Sequence, residues 1–365
     1  MPPIFLPLEQ ALPSHHDLFY NGAWRKPLAS TYNDTLNPST GKPITRVAQA
    51  SATDVDAAVE AAHEAFLSWR KTTIAERQAC LHRAGAILRE HAVTEMLVDA
   101  NRAANSLDYF AGLIPMLRGE TLPGPFPADA YLHYTVREPI GVVARFMASN
   151  HPFMFAGSRM ASVIAAGNTV VVKPPDQAPL SGLRLAELLD GVFPPGVLNI
   201  LPGGPECGQA LATHPLVKKV TLIGSVATGK VIQREAADTL KPTLLELGGK
   251  NALIAFPDAN LDQLVQGVIF GPVMSVFRWT DESEMLRIVN STSYGLTGSI
   301  FTRDLATAQR MISQVEAGFV WVNEVGKHFL NVPFGGVKES GNGRDECLDE
   351  LLAFTAVKSV NIKLQ

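Results

Sequence analysis

The chain has 365 residues, of which 46% are hydrophobic and 18% are charged, enough apolar material for one large or two medium globular domains. The net charge of −4 gives no reason to expect nucleic acid or an anionic membrane as a partner. Three widely spaced cysteines without metal-ligand spacing, and the lack of a leader-like start or a membrane-length apolar run, predict a reduced, cytoplasmic protein without a metal site.

The first third of the chain predicts an irregular segment followed by three helices. Residues 20–43 are rich in Pro, Gly, Asn and Thr and predict short extended pieces in irregular structure. Ser51 and Asp54 have the spacing of a capping box, with Asp in place of Glu or Gln, at the start of an amphipathic helix. After this helix the sequence predicts two more helices over 73–91 and 96–113, then a linker over 119–128 and a strand over 131–138.

Strands and helices alternate from residue 141 onward. Strands are predicted over 141–147, 169–173, 196–201, 219–223, 243–247 and 251–256, and helices over 152–166, 181–189, 205–214 and 228–238. Runs such as TVVVK at 169–173 are typical of strands buried in a parallel sheet. The alternation predicts a doubly wound α/β domain, in which ligands bind beyond the carboxyl ends of the strands.

In residues 244–251 (LLELGGKN) the carboxylate of Glu246 lies at the end of an apolar strand, and two glycines follow almost at once. A carboxylate at the end of such a strand is poorly solvated, so we expect its pKa to rise towards neutrality, as a general base requires. Glycines there allow a sharp turn and close approach to a ligand. The alternative is a strand that ends in a turn with a solvated Glu246.

Three further strand ends carry polar groups, and each has a structural alternative. Residues 224–229 (GSVATG) lie between a strand and a helix, where a phosphate is favoured, although an ordinary turn with a helix cap fits as well. Lys173 and Asp176 have the chemistry to hold ribose hydroxyls, or they are exposed loop charges. Asn150 either directs an amide donor at a developing oxyanion or caps the next helix.

Together these motifs resemble the aldehyde dehydrogenase superfamily, in a match that runs from about Tyr20 to the C-terminus. The motifs occur in the family's order: NHP at 150–152, AGNT at 166–169 leading to Lys173 and Pro174, PGVLN at 195–199, IGS at 223–225, ELGGK at 246–250, IFGP at 269–272 and PFGG at 333–336. Chance agreement at so many ordered sites is negligible.

The resemblance implies roles for individual residues. Asn150 matches the oxyanion-hole asparagine, and Glu246 matches the general base that activates the deacylating water. Lys173 and Asp176 match the positions that hold the adenosine ribose, and an acid there repels a 2′-phosphate, so NAD is favoured over NADP. Ser225 matches the residue that meets the pyrophosphate. The predicted cofactor-binding set is completed by Gly224, Gly229, Gly248 and Phe270.

The resemblance also implies the architecture and the assembly. We expect an N-terminal part over 1–140 with an arm strand near 131–138, a Rossmann-like NAD-binding domain over 141–256, a shortened α/β catalytic domain over 257–345 and a C-terminal oligomerisation segment over 346–365. The arm strands near 131–138 and 358–364 imply a homo-oligomer, either a dimer or a tetramer. The implied substrate is a small-molecule aldehyde, which the sequence does not identify.

The family's catalytic cysteine is missing from this chain. It lies downstream of the ELGGK motif in a Gly-Gln-x-Cys type segment, whereas here Gln266 and Gly267 run straight into residues 268–273, which belong over a hundred residues later in the family. Val268 stands where the family has the Glu of an Glu-Ile-Phe-Gly-Pro motif. A second, smaller gap is expected around 91–96. The missing cysteine segment and this smaller gap both predict internal deletions.

None of the other cysteines belongs to a nucleophile motif, and we interpret Cys80, Cys207 and Cys347 as packing residues. The sequence therefore leaves three hypotheses open: an NAD-dependent aldehyde dehydrogenase by descent in which oxidation is lost or crippled, a non-catalytic NAD-binding or oligomer-forming relative, and a non-functional remnant.

Overall fold

The computed structural model describes residues 12–91, 97–124, 130–267 and 275–364. The chain divides into two compact units. Unit 1 comprises residues 1–222, 232–243 and 348–365, and unit 2 comprises residues 223–231 and 244–347. The predicted domains have different bounds and remain a prediction.

The elements are numbered here in chain order. The strands are β1 Leu18–Tyr20, β2 Ala23–Arg25, β3 Tyr32–Leu36, β4 Pro43–Ala48, β5 Thr121–Leu122, β6 Tyr131–Pro139, β7 Val142–Phe146, β8 Thr169–Lys173, β9 Leu198–Ile200, β10 Val217–Ile223, β11 Thr243–Glu246, β12 Ala252–Ala255, β13 Thr297–Phe301, β14 Phe319–Val322, β15 Gly341–Asn342 and β16 Thr355–Lys363. The helices are α1 Ala52–Trp69, α2 Ile74–Glu90, α3 Leu97–Leu113, α4 Pro152–Ala165, α5 Leu180–Leu188, α6 Pro205–Thr213, α7 Val226–Ala237, α8 Leu261–Gly267, α9 Glu282–Asn290, α10 Leu305–Ile312 and α11 Leu348–Leu352.

The segment predicted to be irregular, 20–43, is more regular than expected. β1 and β2 form an antiparallel hairpin in which Phe19 faces Trp24. Its turn is Asn21-Gly22, with both φ angles positive (53° and 65°), as a two-residue hairpin loop requires. β3 and β4 form a second antiparallel pair. The Asn-Gly dipeptide was the available hairpin signal, and the sequence interpretation overlooked it.

Capping boxes begin the first two helices of unit 1, and the sequence predicts the start of both helices. The Ser51 side chain accepts from Asp54 N–H, and the Asp54 carboxylate accepts from Ser51 N–H at 2.9 Å. Thr73 and Glu76 form the equivalent pair at the start of α2. Each pair satisfies donors that the first helical turn leaves open. Of the predicted gap around 91–96, residues 92–96 lie outside the described residues.

The main sheet of unit 1 is parallel in its centre and has the doubly wound order that the sequence predicts. The strands lie in the order β10-β7-β8-β9-β1-β2, with β7 to β10 mutually parallel and β1 antiparallel to β9. The chain proceeds from β7 to β8 and β9 on one side and places β10 on the other. The order therefore reverses beside β7, the point at which such sheets bind ligands beyond their carboxyl ends.

A buried ionic cluster holds α11 in unit 1. Glu350 is fully buried, and its carboxylate lies 3.4 Å from Arg145 Nη2 and 3.7 Å from Arg159 Nη1. Ser162 Oγ donates to Glu350 Oε1 at 2.7 Å. The Arg145 guanidinium also lies 4.9 Å from the ring centroid of Phe354. We call Arg145, Arg159, Ser162 and Glu350 the Glu350 cluster.

A separate three-stranded ribbon has the order β16-β6-β5. β6 and β16 pair antiparallel over nine residues, from Tyr131 opposite Lys363 to Pro139 opposite Thr355. Most positions of β16 are exposed. The structure thus has both strands that the sequence predicts for an arm, and their role in oligomerisation remains a prediction.

Unit 2 contains a small antiparallel pair and a parallel sheet. β11 pairs with β15, and a separate parallel sheet has the order β12-β13-β14. Its core is formed by apolar residues of β12, β13, α9 and the α10 region, namely Ile254, Met285, Leu286, Ile300, Met311 and Val315. Within the described ranges of both units, no helix has the length and apolar character needed to cross a membrane.

The buried side chain of Lys241 leads us to expect that its contribution to the stability of the chain increases at alkaline pH. Its ammonium group is buried and donates to the carbonyls of Ala212 (2.8 Å) and His214 (2.9 Å) at the end of α6, and burial lowers the pKa of Lys241 to about 8. An unfolded lysine titrates near ~10.4, so between about 8 and ~10.4 the unfolded chain binds more protons than the native chain. The Lys241 contribution to the free energy of unfolding therefore rises with pH through this window.

The measurement is urea denaturation of the wild type and of Lys241→Met at several pH values from about 7.5 to 10.5. Because other groups titrate in both proteins, the informative quantity is the difference between the two unfolding free energies. We expect that difference to shift in favour of the wild type as the pH rises. A difference that is constant across this range would contradict the assigned pKa.

Candidate functional site

Glu246 lies at the carboxyl end of β11, in the interior of unit 2. It is only 7% exposed, which excludes the alternative of a solvated carboxylate. Its carbonyl accepts from Gly224 N–H at 3.0 Å, and it is paired in register with Gly341 of β15. Ser340 holds the following turn, since its hydroxyl donates to the carbonyl of Gly248 at 2.6 Å. The two glycines after Glu246 are therefore fixed by neighbouring backbone.

The turn at residues 224–229 adjoins the same strand end. Thr228 N–H donates to Ser225 Oγ at 3.1 Å, so Ser225 caps α7, which begins two residues earlier than predicted. A Cβ on Gly229 would lie 2.7 Å from Leu247 Cδ1, so any larger residue here would require the Leu247 side chain to move. The helix-cap alternative is correct, and the phosphate-binding role remains a prediction. A Cβ on Gly248 would lie 3.3 Å from the Tyr294 ring.

Lys173 and Asp176 form an ion pair in unit 1. Lys173 Nζ lies 2.7 Å from Asp176 Oδ1, and the side chains are 10% and 45% exposed respectively. Lys173 is thus not an exposed loop charge, whereas Asp176 is partly open to solvent. The last residue of β8 is Lys173 itself, so both groups lie beyond the carboxyl end of a parallel strand. A Cβ on nearby Gly208 would touch the Lys173 stem at 3.8 Å, and one on Gly204 would meet no atom within 4 Å.

Asn150 follows β7 in unit 1 and is exposed. The N-cap of α4 is the next residue, His151, so the alternative role of Asn150 as that helix cap is not what the structure has. His151 Nδ1 lies 3.0 Å from Asp99 Oδ1, a pair that the sequence interpretation missed because the two residues are 52 positions apart. Among the described residues, the Asn150 amide has no hydrogen-bond partner.

The structure thus gathers the predicted residues into two groups. Gly224, Ser225, Gly229, Glu246 and Gly248 come together in unit 2, while Asn150, Lys173 and Asp176 belong to unit 1 at the ends of two adjacent strands. Phe270 lies outside the described residues.

Cys80 and Cys207 lack the surroundings of an activated thiol. Cys207 and Cys347 are buried and Cys80 is half-buried. Burial raises the pKa of Cys207 to about 12 and also raises the pKa of Cys80. A nucleophilic cysteine requires the opposite shift, because the thiolate is the reactive form.

Comparison with known proteins decides the family. The model of the aldehyde dehydrogenase family matches residues 24–270 and 266–360 of this chain. The chain belongs to the aldehyde dehydrogenase family. Its relatives include aldehyde dehydrogenase tropH of Talaromyces stipitatus, which is 55% identical over 496 residues, an alignment covering 100% of this chain and 96% of tropH.

Solved aldehyde dehydrogenases have the same fold. The NAD+ complex of the aldehyde dehydrogenase from Bacillus cereus is 27% identical, with a TM-score of 0.92 and 99% of each chain covered. Indole-3-acetaldehyde dehydrogenase in its apo form is 31% identical, with a TM-score of 0.89 and 97% of each chain covered. The predicted α/β fold class is therefore confirmed.

Two details of these matches concern the predicted deletion. The tropH alignment spans 496 positions, whereas this chain has 365 residues, a difference of 131 (496 − 365). The family model matches in two parts that overlap at residues 266–270, which is where the sequence interpretation located the junction.

Proposed function

We propose that this chain is an NAD-binding aldehyde dehydrogenase family protein in which oxidation of aldehydes to carboxylic acids is lost or severely impaired. The observation that carries the proposal is the state of its three cysteines. Two are buried, the third is half-buried, and burial raises the pKa of both Cys80 and Cys207. The alignment with tropH and the two-part family match support an internal deletion as the reason why no other cysteine is available.

The family's reaction begins with a cysteine, which forms a thiohemiacetal with the aldehyde. That adduct passes hydride to the nicotinamide and leaves a thioester, which Glu246 would help water to cleave. Buried Glu246 cannot compensate for the cysteine, because it acts on an acyl intermediate that does not form without the nucleophile. Asn150 likewise would stabilise an oxyanion only after an attack on the carbonyl.

The residues at the strand ends fit NAD. In unit 1, Lys173 and Asp176 would hold the adenosine ribose, and the carboxylate of Asp176 disfavours the 2′-phosphate of NADP. Ser225, at the start of α7, would meet the pyrophosphate with backbone N–H groups of that helix start. NAD supplies a hydride acceptor when bound. The NAD+ complex of the Bacillus cereus relative supports this assignment.

NAD binding tests the proposal, measured by calorimetry on the purified chain. We expect Lys173→Ala to weaken NAD binding by roughly 10- to 100-fold, since hydrogen bonds to charged groups contribute about 1.5–3 kcal/mol. Lys42→Ala, at an exposed lysine, is the matched control and should leave the affinity unchanged. Asp176→Ser should bring the dissociation constant for NADP closer to that for NAD. A folded chain that binds neither nucleotide would exclude this function and leave a remnant.

A second candidate function is non-catalytic assembly with the chain's own copies or with longer relatives. The exposed nine-residue pairing of β6 with β16 favours it, because this ribbon matches the family's oligomerisation arm. Light scattering of the purified protein would show a dimer or tetramer under this candidate. Co-purification with a full-length relative would support a modulating role. A cytoplasmic location is part of the same proposal, as the cysteines form no disulfide.

A further inference from the structure

The turn that joins β1 to β2 in unit 1 carries an exposed Asn-Gly dipeptide. Asn21 and Gly22 are both exposed, and their φ angles of 53° and 65° place both residues in the left-handed region. The backbone N–H of Asn21 donates to Asn199 Oδ1 at 3.1 Å, which ties the turn to β9. The turn therefore presents the Asn21 side chain and the peptide bond that follows it to solvent.

Within the described ranges, no other group holds the Asn21 amide or the N–H of Gly22. The Asn21 side chain has no hydrogen bond there, and the Gly22 N–H belongs to the loop between the paired residues Tyr20 and Ala23. Gly22 has no Cβ that would hinder an approach to its nitrogen. The covalent chain keeps the two groups together, because Cγ, Cβ, Cα and C of Asn21 close a five-membered ring with N of Gly22.

The sequence has one other Asn-Gly dipeptide, Asn342-Gly343, and the fold holds its amide in place. Asn342 Oδ1 accepts from Leu245 N–H at 3.1 Å, and the same two residues are partners in the pairing of β11 with β15. Turning this side chain towards the nitrogen of Gly343 breaks the hydrogen bond. Two dipeptides of identical covalent chemistry therefore differ in the freedom of the amide, and only that of Asn21 is free to turn.

We propose that Asn21 is a site of spontaneous deamidation in the folded chain. The nitrogen of Gly22 gives its proton to hydroxide and attacks Asn21 Cγ. The bond from Cγ to the amide nitrogen breaks, and that nitrogen takes a proton from water and leaves as ammonia. Water then hydrolyses the resulting succinimide. Cleavage between Cγ and the ring nitrogen gives aspartate, and cleavage between the main-chain carbonyl carbon and the ring nitrogen gives isoaspartate.

The isoaspartyl product changes the backbone of the hairpin. Its main chain runs through Cβ and Cγ of residue 21, so the turn contains one more backbone atom, and each event adds one negative charge. A two-residue loop matches the twist of its flanking strands only with the backbone geometry that Asn21 and Gly22 now have. We therefore expect the hairpin and the hydrogen bond to Asn199 to loosen. Because the residues of β1 are buried and β1 pairs with β9, this loosening lowers the stability of unit 1.

The experiment is incubation of the purified full chain at neutral and at mildly alkaline pH, followed by peptide mapping with mass spectrometry. The peptide that contains Asn21 should gain the mass of an exchange of NH₂ for OH and should separate into aspartyl and isoaspartyl forms. The rate should rise with pH, because the attacking nitrogen must first lose its proton. Asn342 should convert about 5-fold more slowly or less, the factor that corresponds to one net hydrogen bond.

Two variants separate the backbone change from other effects of ageing. Asn21→Gly retains a Gly-Gly turn that suits the hairpin and has no amide to lose, so its urea midpoint should stay constant during the incubation while that of the wild type falls. Asn21→Asp has the charge without the longer backbone and should stay closer to the fresh wild type than the isoaspartyl form does.

Equal conversion of Asn21 and Asn342 would place the chemistry in the unfolded chain and would overturn the proposal. An unchanged Asn21 peptide would overturn it too, and an equal fall of the midpoint in wild type and Asn21→Gly would refute the assigned effect on the hairpin. NAD binding is measured separately, so a failure of this site leaves the proposed function intact.

Discussion

At high enzyme concentration, with NAD and a panel of aliphatic, aromatic and amino aldehydes, the purified chain is expected to form no NADH above background. Loss of a covalent nucleophile lowers the rate by several orders of magnitude, since the remaining groups act on intermediates that never form. Cys207 does not substitute for it, because it is fully buried and its pKa is raised to about 12. The measurement is NADH absorbance, with the intact mass of the same sample confirmed.

Glu246→Gln is the informative companion variant. In an active relative the general base is needed for deacylation, whereas under the proposed loss of oxidation the substitution should change nothing, because no acyl intermediate would form. Treatment with a thiol reagent should likewise have no effect on the background rate. Turnover that persists through purification and is abolished by the reagent would show that a cysteine has taken over, and the proposed loss of oxidation would be wrong.

Glu350→Ala is expected to destabilise the chain by about 3–5 kcal/mol, the usual cost of removing one partner from a buried ion pair. The Glu350 carboxylate faces the guanidinium groups of both Arg145 and Arg159, and it accepts from Ser162. These groups are nearly inaccessible to water, so solvent does not replace the lost interactions. Urea denaturation measures the change in the free energy of unfolding.

An exposed ion pair of unit 1 provides the control. Asp34 lies 3.8 Å from Arg46, and both side chains are more than half exposed, so Asp34→Ala should cost at most about 1 kcal/mol. Glu350→Gln tests the charge alone, because the amide retains the size and an oxygen acceptor for Ser162. If Glu350→Ala were no worse than Asp34→Ala, the Glu350 cluster would not be what secures α11.

Local sequence signals predicted several of the elements well. The capping box of Ser51 and Asp54 gave the start of α1, and the apolar run TVVVK gave β8 with its observed bounds. The doubly wound order followed from the alternation of such runs. The hairpin β1–β2 was missed although its Asn21-Gly22 turn is also a local signal, so that failure lay in the interpretation.

Contacts between distant segments could not be predicted from the residues alone. No pattern around Glu350 predicts that Arg145 and Arg159, more than 180 positions earlier, neutralise its carboxylate. Asp99 lies in α3 and His151 is the N-cap of α4, so the two meet only through the packing of α3 against α4. Conversely, the burial of Glu246 was predictable, because an apolar strand carries it into the interior.

The pairing of β6 with β16 has a consequence for biogenesis. The Glu138 carboxylate of β6 accepts a hydrogen bond from Lys358 of β16, which lies 220 residues further along the chain. β6 therefore leaves the ribosome long before β16 is synthesised. At about 5–20 residues per second, the delay is on the order of 10–40 s. During translation the edge of β6 that β16 will cover is open to other strands. Correct maturation of this ribbon therefore depends on the nascent polypeptide avoiding wrong partners, by chaperone protection or by rapid completion of synthesis.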